Sequence, residues 1–472
     1  MTNLQQAFSS ENFRQDAHNL VDLLADYLEA SHNQTLRSVI PYQEPDKALS
    51  FWQADYEQGK TDINDFFKKT IEKSTHLHHP RYMGHQVTPP LPITAVAGML
   101  TNLLNNGMAV YEMGLVSNPL ERILSELLAK RIGFDKNASG LLTSGGTLAN
   151  LTALLAARAA KTDVWEDGNT TKLAVMVSEE AHYCIDRAAR IMGMGSEGII
   201  KVPTNDKLQI RTDFLEKYYQ EATEKGFKVI CIVGSACSTS TGSYDNLEEI
   251  AAFAQKYQLW FHADGAHGGA VVFSEKYKHK VKGLDQADSV VIDWHKMLMT
   301  PALATALIFK RDEDAFKTFQ QKAQYLWANQ HSKDWFNSGK RTFECTKLMM
   351  SVKIYSILKA HGEQIFGENV DYLYDLGKTF AAMVKSRPNF ELAVEPESNI
   401  VCFRLNNHFS KDLNELNSAI RKQLLEDGKF YIVQTSLKEN IYLRVSLMNP
   451  LTTETDLNAL LDEVENIGTQ IS

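Results

Sequence analysis

The chain has 472 residues, 44% of them hydrophobic and 23% charged, with a formal net charge of −9. That length and balance allow two or three folding units with a sizeable core. A negative charge with no basic cluster argues against nucleic acid or an anionic membrane as the main partner. No apolar run is long enough to span a bilayer, and residues 1–6 lack a basic stretch leading into an apolar one, so a cytoplasmic chain with no membrane association is expected. Cys184, Cys231, Cys237, Cys345 and Cys402 are scattered without CxxC spacing, which points to reduced apolar fillers and not to a disulfide framework or zinc site.

Residues 10–76 read as helical, with Leu20, Leu23, Leu24, Tyr27 and Leu28 at three and four spacing until Pro41 and Pro45 break the pattern. This segment carries too few apolar residues for a core of its own, so its stripe needs another surface, either the rest of the chain or a second subunit. Residues 78–90, HHPRYMGHQVTPP, form an ordered loop because their prolines and glycine exclude a regular helix. The histidines His76, His78, His79 and His85 have no acidic companion and no helical pairing, so substrate-lining or structural roles are expected, and no metal. Helices are predicted over 91–104 and 115–132, the second with Pro119 near its start, Glu121 in its first turn and Gly133 just past its end.

Leu141 and Leu142 run into Ser144-Gly145-Gly146-Thr147 and then an alanine-rich helix over 151–160. Two glycines let backbone amides converge on an anion at a helix start, and Ser144 and Thr147 add hydroxyls, which describes a phosphate cradle. A plain glycine turn capping the helix fits the same residues. The GxxxxGK[ST] and GxGxxG spacings are absent here, which weakens ordinary nucleoside-triphosphate and dinucleotide readings.

From residue 173 onward, apolar runs alternate with helical patterns. Strands are predicted at 173–177, 198–202, 229–233, 259–263 and 290–292, and helices at 186–194, 212–225 and 247–257. Such alternation predicts a mostly parallel sheet covered on both faces, with ligands gathering outside the carboxyl ends of the strands. Those ends carry His182, then Ser238 and Thr239, then Asp264, then the pair His295-Lys296. A lysine just past a buried strand is either solvated or kept for chemistry. After residue 309, the polar and aromatic stretch 325–336 is either a mobile cover or a fixed surface loop. Helices at 346–361, 367–384 and 412–426, strands at 390–394, 400–405, 431–433 and 441–445, and a closing helix make a smaller α+β domain. The expected division is an N-terminal helical segment at 1–76, a large domain at 77–345 and a small C-terminal domain at 346–472.

A lysine, an aspartate, a histidine and a phosphate cradle at neighbouring strand ends match the needs of pyridoxal phosphate. Lys296 would hold its aldehyde as an imine, Asp264 would pair with the pyridine nitrogen, and His182 would lie on the ring face. Ser144, Gly145, Gly146, Thr147 and His295 would take the phosphate. The protein's task is then to select which bond at the substrate α-carbon breaks.

The strings TSGGTLANLTAL, SEEAHYCIDRAARIMG, SACSTSTGSYD, HADGAHGG and DWHKMLMTP, in this order, resemble the group II pyridoxal-phosphate-dependent amino-acid decarboxylases, among them glutamate, aromatic amino-acid and diaminobutyrate decarboxylases. The resemblance runs from HPRYMGHQ to LRVSLMNP. It implies an aspartate-aminotransferase-like (type I) α/β fold and a homodimer with the active site at the subunit interface, the N-terminal helices wrapping the partner. It also implies Lys296 as the imine lysine, Asp264 as the pyridinium partner, His182 as the stacking residue and Thr239 near the ring hydroxyl, with Ala266 among the cofactor contacts. Arg444 falls where the family binds a substrate carboxylate, and His85 or Gln86 where it lines the substrate pocket. Arg444 also reads as an ion-paired core residue.

Two departures bear on the chemistry. His267 stands in an aromatic slot, and the stretch 328–336 lacks the tyrosine with which several members reprotonate the α-carbon; Tyr325, His331 and His182 are the remaining donor candidates. Decarboxylation of an L-amino acid to its amine is therefore the first reading. A lyase or β-replacement enzyme acting on a serine- or cysteine-type substrate is the alternative, and a binding protein with a lost pocket is a third.

Overall fold

The computed structural model describes residues 2–319, 334–406 and 412–471. Tyr325 and His331, with most of the proposed cover stretch, lie outside the described residues. The chain divides into two compact units, one of Gln86–Lys378 with Val394–Val401, the other of Met1–His85, Thr379–Ala393 and Cys402–Ser472.

The first unit is built on seven strands, β1 (Ser139–Thr143), β2 (Lys172–Ser178), β3 (Ile199–Val202), β4 (Phe227–Ser235), β5 (Trp260–Asp264), β6 (Ser289–Asp293) and β7 (Thr305–Phe309). Their order across the sheet is β1-β7-β6-β5-β4-β2-β3. Every pairing from β3 through β6 is parallel, while β7 runs antiparallel to both β6 and β1. The strand β7 is absent from the sequence reading. Residues such as Val175, Val177, Ile230, Val233, Val291 and Leu307 are buried, as expected of strands covered on both faces.

One helix matters most for the site. Gly146–Lys161 presents Ala149, Ala153, Ala156 and Ala157 to the sheet at three and four spacing, all buried. Small side chains let this helix lie close to the strands, and its N-terminus follows β1 after a two-residue turn. The predicted helix at 346–361 starts later, at Met350–His361. Thr346 instead accepts the Met108 amide through Oγ1 at 2.9 Å, and Lys347 is drawn into a buried ion pair, so residues 346–349 stay out of the helix.

A second sheet has four strands, β8 (Phe390–Leu392), β9 (Ile400–Leu405), β10 (Val433–Leu437) and β11 (Asn440–Ser446), in the order β10-β11-β9-β8, all in the second unit but for the first two residues of β9. Helices Leu413–Asp427 and Glu454–Ile471 accompany them. The N-terminal part of the chain joins this unit: the Val39 amide donates to Gly428 O at 2.7 Å, and Arg81 pairs with the buried Asp456 at 3.2 Å. The strand predicted at 431–433 is displaced to β10, whose Gln434 to Ser436 are polar or exposed. As an edge strand, paired only with β11, it needs no continuous apolar run.

Candidate active site

A cavity of about 300 Å³ opens at the carboxyl ends of the strands in the first unit, within the range usual for ligand pockets. Ser144, Gly145, Gly146, Thr147, His182, Thr239, Asp264, Ala266, His295 and Lys296 all line it. Ten of the thirteen expected site residues are therefore brought together. Of the other three, Gln86 belongs to the same unit and is buried, its Nε2 without a hydrogen-bond partner among the described residues. His85 and Arg444 belong to the second unit, where both are pushed toward the neutral form first by burial; the Arg444 and Arg421 cations add to the effect on His85.

Each strand contributes at its end. Asp264 closes β5, and its Oδ1 accepts the Ala266 amide at 3.2 Å. Next to it, β6 ends on Asp293, and Lys296 follows three residues later. His182 is the N-cap of the helix Tyr183–Ile191, accepting the Cys184 amide on Nδ1 at 3.3 Å. With Nδ1 an acceptor, the neutral ring carries its proton on Nε2, and burial lowers its pKa despite the nearby Asp264. Nδ1 of His295 lies 2.8 Å from the Ala304 carbonyl, and its Nε2 lies 3.7 Å from Asp293.

The cradle is a tight turn. Gly145 has φ +110° and ψ 155°, a region essentially reserved for glycine. A Cβ on Gly146 would come within 3.3 Å of the Asp293 carboxylate. Past this turn the first amides of the helix have no intrahelical acceptor and are open to an anion. The Ser144 hydroxyl donates to Glu344 at 2.8 Å. A ring-and-phosphate molecule fits this set: a glycine turn at a helix start for the phosphate, a carboxylate at one strand end and a primary amine beyond the next.

Three features of the site escape sequence reading. Asp293, 2% exposed by side chain, lies 3.0 Å from Lys296 Nζ and accepts the Thr305 hydroxyl. A buried chain runs beneath the cradle: Trp260 Nε1 donates to Ser289 Oγ, His262 bridges Ser289 Oγ and Asn150 Oδ1 at 2.8 Å each, and Asn150 donates to Gly146 O. Finally, Lys347 donates to both carboxylate oxygens of Glu121 at 2.7 Å and to Leu142 O at 2.8 Å, just below the cradle. The only sequence signal for any of these is the acidic residue ending the apolar run three positions before Lys296.

The sheet, its covering helices and this strand-end cavity define a fold-type I pyridoxal-phosphate protein. The conserved domain of pyridoxal-dependent decarboxylases matches residues 16–406. The chain is 26% identical over 475 residues to an aromatic-L-amino-acid decarboxylase of Bacillus atrophaeus, covering 100% of this chain and 98% of that one. It is 31% identical over 449 residues to an aspartate 1-decarboxylase of Aliivibrio fischeri, covering 84% and 81%. The crystal structure of mouse CSAD superposes with a TM-score of 0.91 at 23% identity, over 98% of this chain and 99% of that one, a likeness of fold. The chain belongs to the pyridoxal-dependent decarboxylase family, and it is an enzyme, a pyridoxal-phosphate-dependent amino-acid decarboxylase.

Proposed function

We propose that the chain releases carbon dioxide from an L-amino acid of small or medium size, leaving the amine, with Lys296 as the residue that holds the cofactor covalently. The observation that carries this reading is the meeting of Lys296, Asp264, His182 and the Ser144–Thr147 turn in one cavity at the strand ends. Bound pyridoxal phosphate supplies an aldehyde that captures amines and a ring that withdraws electrons from the substrate α-carbon.

The chain's own groups do the rest. Asp264 would be the carboxylate that pairs with the pyridine nitrogen and so favours its protonated form. Backbone amides after Gly145, with Thr147 and His295, hold the phosphate. Thr239 and Ala266 complete the cofactor contacts. His182 covers a ring face with its proton on Nε2 and is one of the three candidate donors to the α-carbon. By the resemblance, Arg444 takes a substrate carboxylate and His85 and Gln86 line the side chain.

A homodimer is part of the proposal, supported by exposed apolar side chains: Val96, Leu100, Leu103 and Leu104 on the helix Pro92–Leu104, and Leu115 and Val116 just before the helix Ser117–Ile132. In this proposal the N-terminal helical segment, 1–76, covers the partner. Four buried free thiols out of five suit a reducing, cytoplasmic setting.

The test is a screen of the pure protein with added pyridoxal phosphate for amine and carbon dioxide from the common amino acids plus diaminobutyrate, cysteate and cysteine sulfinate, with Lys296→Ala as blank. Equal amounts of amine and carbon dioxide from one substrate are expected. A spectral change with substrate but no carbon dioxide would overturn the reading. Light scattering of the same sample reads the dimer.

A further inference from the structure

Asp293 has no part in the reading above, yet it is ion-paired with the amine on which that reading rests. Its Oδ2 lies 3.0 Å from Lys296 Nζ, and its side chain is 2% exposed. One donor more fixes it, the Thr305 hydroxyl from β7, which reaches Oδ1, while His295 Nε2 stands 3.7 Å from Oδ2. A carboxylate so buried is stable as an anion only with a cation beside it.

We propose that Asp293 is the counter-ion that stores free Lys296 as its ammonium and thereby sets the pH range in which this lysine captures the cofactor aldehyde. This rests on the reading of Lys296 as the capturing amine. Capture needs the Nζ lone pair: the ammonium first gives one proton to solvent, a carbon–nitrogen double bond then forms, and the two remaining N–H hydrogens leave with the carbonyl oxygen as water. No oxidation or reduction is involved. The groups facing Nζ from the packed elements are Asp293 at the end of β6, Asp264 at the end of β5, Cys237 after β4, and His182 and Cys184 at the start of the helix Tyr183–Ile191. Burial works to lower the amine's pKa, but the Asp293 carboxylate, with Asp264 and Cys237 behind it, leaves it above the ordinary value. Burial likewise works to raise Asp293, and Lys296 and His295 hold it below the carboxylate range.

The test mixes apoprotein with saturating pyridoxal phosphate and follows the yellow absorbance of the lysine-bound form, so that the rate reports the covalent step and not affinity. Asp293→Asn is expected to move the inflection of rate against pH down by about one to two units, making capture about ten- to a hundredfold faster at a fixed pH below it. Asp293→Glu keeps the charge and should keep the inflection. Equal inflections in wild type and Asp293→Asn, or Asn and Glu variants behaving alike, overturn the proposal while leaving Lys296 in its role. Capture that persists in Lys296→Ala overturns the underlying reading instead. Should the Asn variant not fold, acylation of Lys296 in wild-type apoprotein, read by mass spectrometry across pH, decides: an inflection above that of exposed lysines is expected, and one at or below it refutes.

Discussion

Lys347→Met tests how far the phosphate turn depends on a charge pair that holds the carbonyl of Leu142, two residues before it. The lysine spends all three donors, two on Glu121 at 2.7 Å and one on Leu142 O at 2.8 Å, with the side chains 2% and 3% exposed. Methionine fills nearly the same volume, so the cavity term is small, and the cost is that of an uncompensated buried carboxylate, about 3–5 kcal/mol. On the scale for large domains this lowers the thermal midpoint by on the order of 5–10 °C. Adding Glu121→Leu removes the stranded charge and leaves only the Leu142 carbonyl unmet, about 1–3 kcal/mol, so the double variant should be more stable than the single. Thermal unfolding of the apoproteins measures both, and hydrogen exchange of a peptide spanning 139–148 should show faster exchange in Lys347→Met alone. A single variant as stable as wild type, or a double variant less stable than Lys347→Met, would refute the reasoning.

Other predictions concern the groups around the same turn. Gly145→Ala forces a side chain into φ +110° and should cost about 1–3 kcal/mol in thermal stability, with faster loss of cofactor on dialysis. His182→Ala removes both a helix cap and a ring and should cost about 1 kcal/mol, whereas His182→Asn keeps an N-cap acceptor and should restore stability while leaving cofactor affinity weak; thermal unfolding and cofactor titration separate the two. His262 has its pKa lowered by burial from 6.5 to about 4. Because the folded value is the depressed one, its share of stability is complete above 6.5 and is withdrawn as pH falls toward 4, about 3 kcal/mol in all. His262→Gln should flatten the acid limb of stability against pH over that window, and a slope identical to wild type would show the ring to be charged or exposed. His78 and His79, pushed by burial to about 4 as well, keep a residual slope in the variant.

Much of the site was legible because the strands that carry it are buried on both faces and so appear as unbroken apolar runs, with polar residues falling where each run stops. His182, Asp264 and Lys296 are found that way. Asp293 was legible as a letter but not as a partner, since it reads as the polar end of the run containing Val290 to Ile292, and only the fold of the turn to Lys296 brings the two charges together. Glu121 and Lys347 are 226 positions apart, a separation no local periodicity encodes. The strand β7 was missed for a different reason: Thr305 to Phe309 is a short apolar run after a proline, with no turn signal to show that it doubles back between β1 and β6. Arg444 and His85, assigned by resemblance, lie in the other unit, Arg444 buried and His85 exposed, and no local pattern in the sequence ties either to the strand ends.

That doubling back acts as a gauge. In the sheet Thr305 is opposite Thr143 on one side and Asp293 on the other, so a single β7 residue measures off both the start of the phosphate turn and the start of the lysine turn. A slip of one residue would invert every β7 side chain and uncouple the two lengths. Insertions between Lys296 and Thr305 should therefore be rejected during the protein's divergence, while length changes beyond Phe309, where the gauge has already been read, should be tolerated.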